Sequence, residues 1–349
     1  MCKSGKYKVI GGGGRLPKIR YNNIDNVSTD KTLKQFKQWR DERRNKKKDY
    51  SYVIPNLTPD LEYLHGNRHE TSVTWVGHAT FFIQYEGLNI VTDPVWARRM
   101  AFSKRFGEPG IPIGEVPPLD IILISHSHYD HMHIASIRRL YREGTTIVVP
   151  IGLKRKMIAK GFRRVIEMKW WESTTIGGVK ISFVPTQHWT RRTPFDTNTS
   201  HWGGFVLEPE LQEKDKPDGT SDIRDQSRVL PPNLYFAGDS GYFNGFKEIG
   251  DRFNIHIAMM PIGAYEPEWF MTSQHVNPEE ALKAFLDVKA ETMIPMHYGT
   301  FRLADDTAQE ALERMEMERD RLGISEEQIL VLKYGETFKV QPERRKVEG

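Results

Sequence analysis

The segment Ser125-His126-Ser127-His128-Tyr129-Asp130-His131 places four metal-ligating side chains within six positions, directly after the apolar run that ends at Ile124. A loop leaving a buried strand can turn alternate side chains into one pocket. His126 and His128 then grip one ion while Asp130 and His131 face a second, and neutral imidazole with carboxylate suits zinc at about 2.0–2.2 Å. The remaining ligands must come from elsewhere. Cys2 is the single cysteine, which excludes an intramolecular disulfide and a cysteine-based zinc site and narrows the search to twelve histidines and the carboxylates. The bland alternative, a histidine-rich surface loop, does not account for the strand before it.

Three further candidates share one position, the end of an apolar run. Ile181–Val184 leads into Gln187-His188-Trp189, Leu234–Ala237 into Gly238-Asp239-Ser240, and Met293–Met296 into His297-Tyr298-Gly299. Active-site groups collect at strand C-terminal ends, where loops reach a common crevice. Alone, His188 or His297 reads as structural and Asp239 as a turn residue. Their shared placement makes them ligand candidates.

The architecture follows from the order of the runs. Strands are expected at 72–76, 80–85 and 88–92, with Glu86-Gly87 as a tight hairpin, and then at Ile121–Ser125, Thr146–Val149, Val179–Val184, Asn233–Ala237, His256–Met260, Thr292–Met296 and Ile329–Leu332. Helical patterns occupy 132–142, 277–289 and 306–321. Strands interleaved with helices indicate a layered α/β fold. The expected organisation is an N-terminal extension over 1–70, the layered α/β domain over 71–340 and a tail over 341–349. The polar stretch 208–230 reads as an exposed loop, and Gly11–Gly14 as a flexible turn without the ending of a phosphate-binding loop.

Charge is local. Lys31–Tyr50 carries nine basic and three acidic residues, +6, so the remainder of a chain of net charge +4 is −2. Basicity confined to one segment argues against nucleic acid as a partner. No apolar run approaches the ~20 residues of a membrane span, and the N-terminus lacks a signal-peptide core, so the expectation is a cytoplasmic protein.

The pattern His-x-His-x-Asp-His, a later His, a Gly-Asp and a last His resembles the metallo-β-lactamase superfamily, an αββα sandwich of two mixed sheets flanked by helices. The resemblance implies that His126, His128 and His188 bind one metal, that Asp130, His131 and His297 bind the second, and that Asp239 bridges both. It extends to Thr74-Trp75-Val76-Gly77-His78-Ala79-Thr80, Thr92-Asp93-Pro94, Gln187-His188-Trp189 and Phe236-Ala237-Gly238-Asp239. With Gly263-Ala264-Tyr265-Glu266-Pro267-Glu268-Trp269-Phe270-Met271 and Gln274-His275-Val276-Asn277-Pro278-Glu279-Glu280, the match over residues 72–340 is to the N-acyl-phosphatidylethanolamine-hydrolysing phospholipase D family. The implied activity is a zinc-dependent phosphodiesterase that releases an N-acylethanolamine and phosphatidic acid. Two Zn2+ ions are the implied cofactor, with Mn2+ or Fe2+ as other occupants.

Roles beyond the ligands are expectations of the same kind. Asp130 both ligates and orients the attacking water, and His275 donates a hydrogen bond to a phosphoryl oxygen or the leaving group. Tyr129 and Gln274 are candidates for polar substrate contacts, and Arg191 with Arg192 for an anionic group. Tyr265, Trp269, Phe270 and Met271 form either an acyl-chain wall or ordinary packing. His78 reads as a supporting or packing residue, His133 as a bystander, and His65, His69, His201 and His256 as structural.

A lactonase or a hydrolase of soluble phosphodiesters remains an alternative, since the metal chemistry is permissive. A metal-binding scaffold without turnover is disfavoured because all seven ligand positions are filled. Leu33, Phe36 and Trp39 recur at helical spacing after a cap at Thr29 or Asp30, ahead of Arg43-Arg44 and Lys46-Lys47-Lys48. Two readings stay open: an interfacial helix on a phospholipid surface, peripheral to the membrane, or a charged helix packed on the domain by that apolar stripe.

Overall fold

The computed structural model describes residues 7–10, 18–210 and 230–340. Cys2, Gly11–Gly14, nearly all of the polar stretch 208–230 and the tail 341–349 therefore lie outside the described residues. The elements begin with β1 (Tyr7–Ile10), β2 (Lys18–Tyr21), α1 (Leu33–Asn45), α2 (Leu61–Gly66), β3 (Ser72–Gly77), β4 (Thr80–Tyr85) and β5 (Leu88–Thr92). Next come β6 (Arg99–Met100), β7 (Ser103–Lys104), β8 (Ile121–Leu123), α3 (Ile134–Leu140), β9 (Thr146–Pro150), α4 (Lys154–Ile158), β10 (Val165–Met168), β11 (Ser173–Ile176) and β12 (Val179–Val184). After β13 (Gly204–Pro209) and β14 (Leu234–Phe236) follow α5 (Gly245–Arg252), β15 (Ile257–Pro261), α6 (Glu268–Met271), α7 (Pro278–Asp287), β16 (Thr292–Met296), α8 (Ala308–Leu322) and β17 (Thr337–Lys339).

Two mixed sheets carry the fold. The first runs β10-β9-β8-β5-β4-β3-β17 and the second β11-β12-β13-β14-β15-β16. Alternation along the strands of the first sheet sets the layers. Phe81, Ile83, Ile90, Ile121, Leu123 and Val148 face the core shared with the second sheet. Phe82, Val91, Ile122, Ile124, Ile147 and Val149 point the other way, into a cluster with Ile137 of α3 and Met157 of α4. On the far side of the second sheet, Leu282 and Phe285 of α7 and Met315 of α8 join the central core. The result is the expected αββα arrangement.

Local chemistry explains several element ends. Glu86 and Gly87 take φ of 49° and 76° between the paired residues Tyr85 and Leu88, a turn whose twist suits a hairpin. Asn277 caps α7 and Pro278 opens it. The helix α1 starts from Thr32, not Thr29 or Asp30, because Thr32 and Gln35 cap one another reciprocally.

One expectation is corrected and others are completed. Ile329–Leu332 is not a strand: only Ile329 bridges to Met293, and the second sheet ends at β16. The runs that form β10, β11 and β13 were not expected as strands, nor the run of α5 as a helix. Of the two readings of α1, the packed one gains support, since the rings of Phe36 and Trp39 lie 5.3 and 5.5 Å from that of Phe270, while Leu33 stays exposed.

Candidate metal centre

Every element that contributes to the cluster ends at one edge of the sandwich. Asp93 follows β5, the loop 124–131 follows β8, His188 follows β12, Asp239 follows β14 and His297 follows β16. Gly238, at φ +64°, makes the approach of Asp239 possible, because a Cβ there would meet Ser125 Cβ at 2.8 Å. His78, Asp93 and His297 also take positive φ of 56°, 34° and 64°, a concentration of backbone strain typical of a functional site.

The loop is braced from behind. Arg192 donates to the carbonyls of Ser127 (2.8 Å) and Met132 (2.9 Å), and His131 N and Met132 N both turn back to His128 O. His133 caps α3 through Ser136 N, consistent with its bystander reading.

Seven side chains converge as two groups. His126 Nε2 lies 3.0 Å from His128 Nδ1, which lies 3.2 Å from His188 Nε2. Ligands of a tetrahedral ion at about 2.05 Å stand about 3.3 Å apart, so these three nitrogens have the spacing of a metal seat. In the second group, His131 Nε2 and His297 Nε2 are 3.1 Å apart, and Asp130 Oδ2 is 3.4 and 3.7 Å from them. Asp239 sits between the groups. Its Oδ1 lies 3.1 Å from His297 Nε2, and its Oδ2 lies 3.1 Å from His131, 3.7 Å from His188 and 3.8 Å from His126.

Outer hydrogen bonds fix which nitrogen faces inward. His131 Nδ1 donates to Asp93 at 2.7 Å, His188 Nδ1 to Gln274 O at 2.9 Å, and His126 Nδ1 to Ser125 Oγ at 2.9 Å, while Ser125 Oγ itself donates to Asp93. Each turns Nε2 inward, where a metal ion would take its lone pair. His78 Nε2 holds Asp130 Oδ2 at 3.0 Å. His128 Nε2, Asp239 Oδ1, His275 Nδ1 and His297 Nδ1 are buried without a hydrogen-bond partner, an unusual concentration for a protein interior.

The electrostatics suit cations. Burial pushes the His128 imidazole down to about 3 and His188 to about 4, so both are neutral and able to ligate. Burial would push the Asp239 carboxyl up, but His131 and His297 outweigh it and hold it well below the ordinary range. Burial would likewise lower His297, yet Asp239 and Asp130 raise it to about 9. Protons on His131 and His297 thus balance two buried carboxylates where divalent ions can do the same. The donor set of imidazole and carboxylate fits such ions, and His126, His128, His188, Asp130, His131, His297 and Asp239 are the residues able to hold them.

The expected substrate contacts divide. His275 lies inside the cluster, buried, with Nδ1 3.9 Å from Asp239 Oδ2 and its ring stacked on His297. Gln274 contributes its backbone carbonyl to His188, whereas its side chain turns to Met271 Sδ. Tyr129 is exposed and donates to Arg192 O, and Arg191 stands over Trp189, whose ring meets His128 edge-on. Arg192 is a brace, not a free anion-binding group. Phe270 packs under α1 and Tyr265 is buried beneath Arg314, which favours the packing reading of that aromatic cluster. His65, His69, His201 and His256 join no cluster of metal-ligating groups among the described residues. The roles of Asp93 and Ser125 were not foreseen, although Thr92-Asp93-Pro94 is part of the family pattern.

Residues 88–298, more than half the chain, match the model of the Beta-lactamase superfamily domain. The N-acyl-phosphatidylethanolamine-hydrolyzing phospholipase D 1 of Caenorhabditis elegans is 34% identical over 274 residues, 72% of this chain and 70% of that protein. The mitochondrial N-acyl-phosphatidylethanolamine-hydrolyzing phospholipase D of Saccharomyces cerevisiae is 32% identical over 276 residues, 76% of this chain but only 54% of the yeast protein. Among solved structures, a metallo hydrolase of the archaeon Ignicoccus hospitalis superposes with a TM-score of 0.56 at 20% identity, covering 78% of this chain and 99% of that one, a likeness of fold. Among the described residues no helix is long and apolar enough to cross a membrane. The chain belongs to the metallo-β-lactamase superfamily, as a metal-dependent hydrolase that resembles the N-acyl-phosphatidylethanolamine-hydrolysing phospholipases D.

Proposed function

We propose that the protein is a zinc-dependent phosphodiesterase that hydrolyses N-acyl-phosphatidylethanolamine to N-acylethanolamine and phosphatidic acid at the inner face of a cellular membrane. The observation that carries the reading is Asp239, whose two oxygens stand between a group of three imidazoles and a group of two imidazoles and a carboxylate. His126, His128 and His188 would hold one ion, Asp130, His131 and His297 the other, with Asp239 placed to serve both. Two divalent ions, when bound, supply an activated water and neutralise charge on the phosphoryl group.

The chain's own residues complete the site. Asp130, held by His78, orients the water toward phosphorus. The water oxygen bonds to phosphorus, the bond from phosphorus to the ethanolamine oxygen breaks, and a water proton passes to the departing alkoxide. Burial keeps the His275 imidazole well below its ordinary range, so it serves as a neutral N–H donor to a phosphoryl or leaving oxygen. Tyr129 and Arg191 line the mouth and meet the anionic headgroup.

Hydrolysis in 18O-labelled water tests the reaction. The label is expected in phosphatidic acid and not in the N-acylethanolamine, from protein carrying about two zinc ions per chain. Diacylglycerol as the main product, or turnover of lactones with inertness to every phosphodiester, overturns the assignment.

A further inference from the structure

We propose that the hairpin β6–β7 is a lipid-surface anchor: Phe102 enters the headgroup boundary of an anionic bilayer while Arg98, Arg99 and Lys104 engage its phosphates. The inference rests on the phospholipid reading of the substrate and adds the element that brings the site to the surface.

Arg99 pairs with Lys104 and Met100 with Ser103, leaving Ala101-Phe102 as the turn, with Ala101 at φ 49°. Turns of this length favour glycine or asparagine, and phenylalanine adds nothing to them. Phe102 is nevertheless fully exposed, the most exposed large apolar side chain among the described residues. Its frame is fixed. Met100 is buried against Val95 and Phe301, Ser103 Oγ accepts from Arg302 N at 2.7 Å, and Arg105 N donates to Arg98 O at 2.9 Å. The buried Arg105 guanidinium reaches Val95 O, Val76 O and Gly107 O and pins the hairpin base to β3. A phenyl ring presented to water on a braced backbone carries an unfavourable hydration term that an apolar surrounding removes.

Charge selects the surrounding. Arg98, Arg99 and Lys104 are exposed and make no ion pair among the described residues, and the segment 98–104 contains no carboxylate. Three free cations around one apolar tip fit an anionic surface and repel the same tip of a second copy. The neighbouring rim has the same character. Arg302 lies over Tyr50, Tyr50 stacks on Phe106, and the segment 34–47 before it displays Lys34, Lys37, Arg40, Arg44 and Lys47, also without ion pairs among the described residues. The hairpin also borders the cluster, since Phe301 meets His78 edge-on at 5.6 Å and His78 holds Asp130. A bilayer engaged at Phe102 therefore lies on the Phe301 side of that cluster.

The test is co-sedimentation of the full chain with phosphatidylcholine vesicles, with and without phosphatidylglycerol, for the wild type, F102D and R98Q/R99Q/K104Q. Wild type is expected to bind the anionic vesicles. F102D should weaken binding about tenfold or more, and the triple variant about fivefold per cation at low salt, a loss that high salt erases. Both should keep wild-type melting and turnover of bis(4-nitrophenyl) phosphate. Variants that bind as wild type, or a wild type that ignores anionic vesicles, overturn the anchor. So does F102D changing the oligomeric state while vesicle binding stays intact, which would make a second copy the occupant. Vesicle binding needs no turnover: Phe102-dependent binding by a protein inert to all phosphodiesters keeps the anchor and sinks the substrate reading.

Discussion

Asp93 decides which nitrogen of His131 faces the cluster, although it touches neither inward-facing group of donors except through that ring. By accepting from His131 Nδ1 and from Ser125 N and Oγ, it fixes the tautomer that leaves Nε2 free. Asp93→Asn keeps the shape but can turn an NH2 toward His131, so metal affinity and kcat/KM should each fall about 10- to 100-fold. Chelator competition reads the first, and an unchanged affinity would refute the orienting role. Asp306 offers a pH test away from the ligands. Burial pushes its carboxyl up to about 6, against an ordinary 3.8, despite hydrogen bonds from Ala264 N and Glu266 N. Between those values the folded state binds more protons than the unfolded one, so this group erodes stability as pH rises through the window. Asp306→Asn removes that slope. The melting temperature of the variant relative to wild type should therefore climb from about pH 4 to about pH 7, and a constant difference would rule the burial out. At this scale the seven side chains that converge were legible because four of them fall in one heptapeptide and three more at run ends. Asp93 and Gln274 were not, since one acts across 38 residues and the other through a carbonyl that leaves no side-chain signature.

Among the elements, α1 departs furthest from an isolated reading. The basic residues of α1 and of the segment just after it divide: Arg43 pairs with Asp305, Lys46 with Glu266 and Lys48 with Glu266 and Glu310, while five others point to solvent. Phe36 and Trp39 cover Phe270, Trp269 Nε1 donates to Glu42, and Lys31 reaches Ser273. The helix thus straps the segment 263–275, whose Gln274 carbonyl orients His188. Earlier still, Asn23 Oδ1 accepts from His188 N. Trp39→Ala is expected to cost about 1–2 kcal/mol, less than a fully buried tryptophan, and to lower kcat/KM on soluble substrate through the loosened loop. Calorimetry and steady-state kinetics read the two effects. Loss of vesicle binding alone, with melting and soluble turnover intact, would restore the purely interfacial helix. Strand positions were legible where burial on both faces produces continuous apolar runs, as in β4, β8 and β16. The edge strand β11, Ser173–Ile176, carries no fully buried residue, and Ile329–Leu332 buries Ile329 and Leu332 but meets β16 at a single bridge, so periodicity misled in opposite directions.

Across the whole molecule, the cluster is a tie between sheets. Asp93 and the loop 124–131 hang from β5 and β8 of the first sheet, whereas His188, Asp239 and His297 hang from β12, β14 and β16 of the second. An ion held by His126, His128 and His188 would span both layers, and so would a neighbour held by Asp130, His131 and His297. Binding free energy at such sites becomes folding free energy, because the unfolded chain has no preformed seat. At free metal about a thousandfold above Kd, one site contributes about 4 kcal/mol. In a domain of this size each kcal/mol moves the melting temperature by about 2 °C, so chelation should lower it by roughly 8 °C for one ion and more for two. Asp239→Asn sharpens the experiment, since the bridging carboxylate serves both seats. Its variant should melt near the chelated wild type and gain little from added zinc, whereas Tyr129→Phe, at the exposed mouth, should keep the full metal increment. Differential scanning calorimetry with elemental analysis before and after chelation decides the matter. If zinc leaves and the transition does not move, the ions do not tie the sheets, and the shared edge is only the place where chemistry happens.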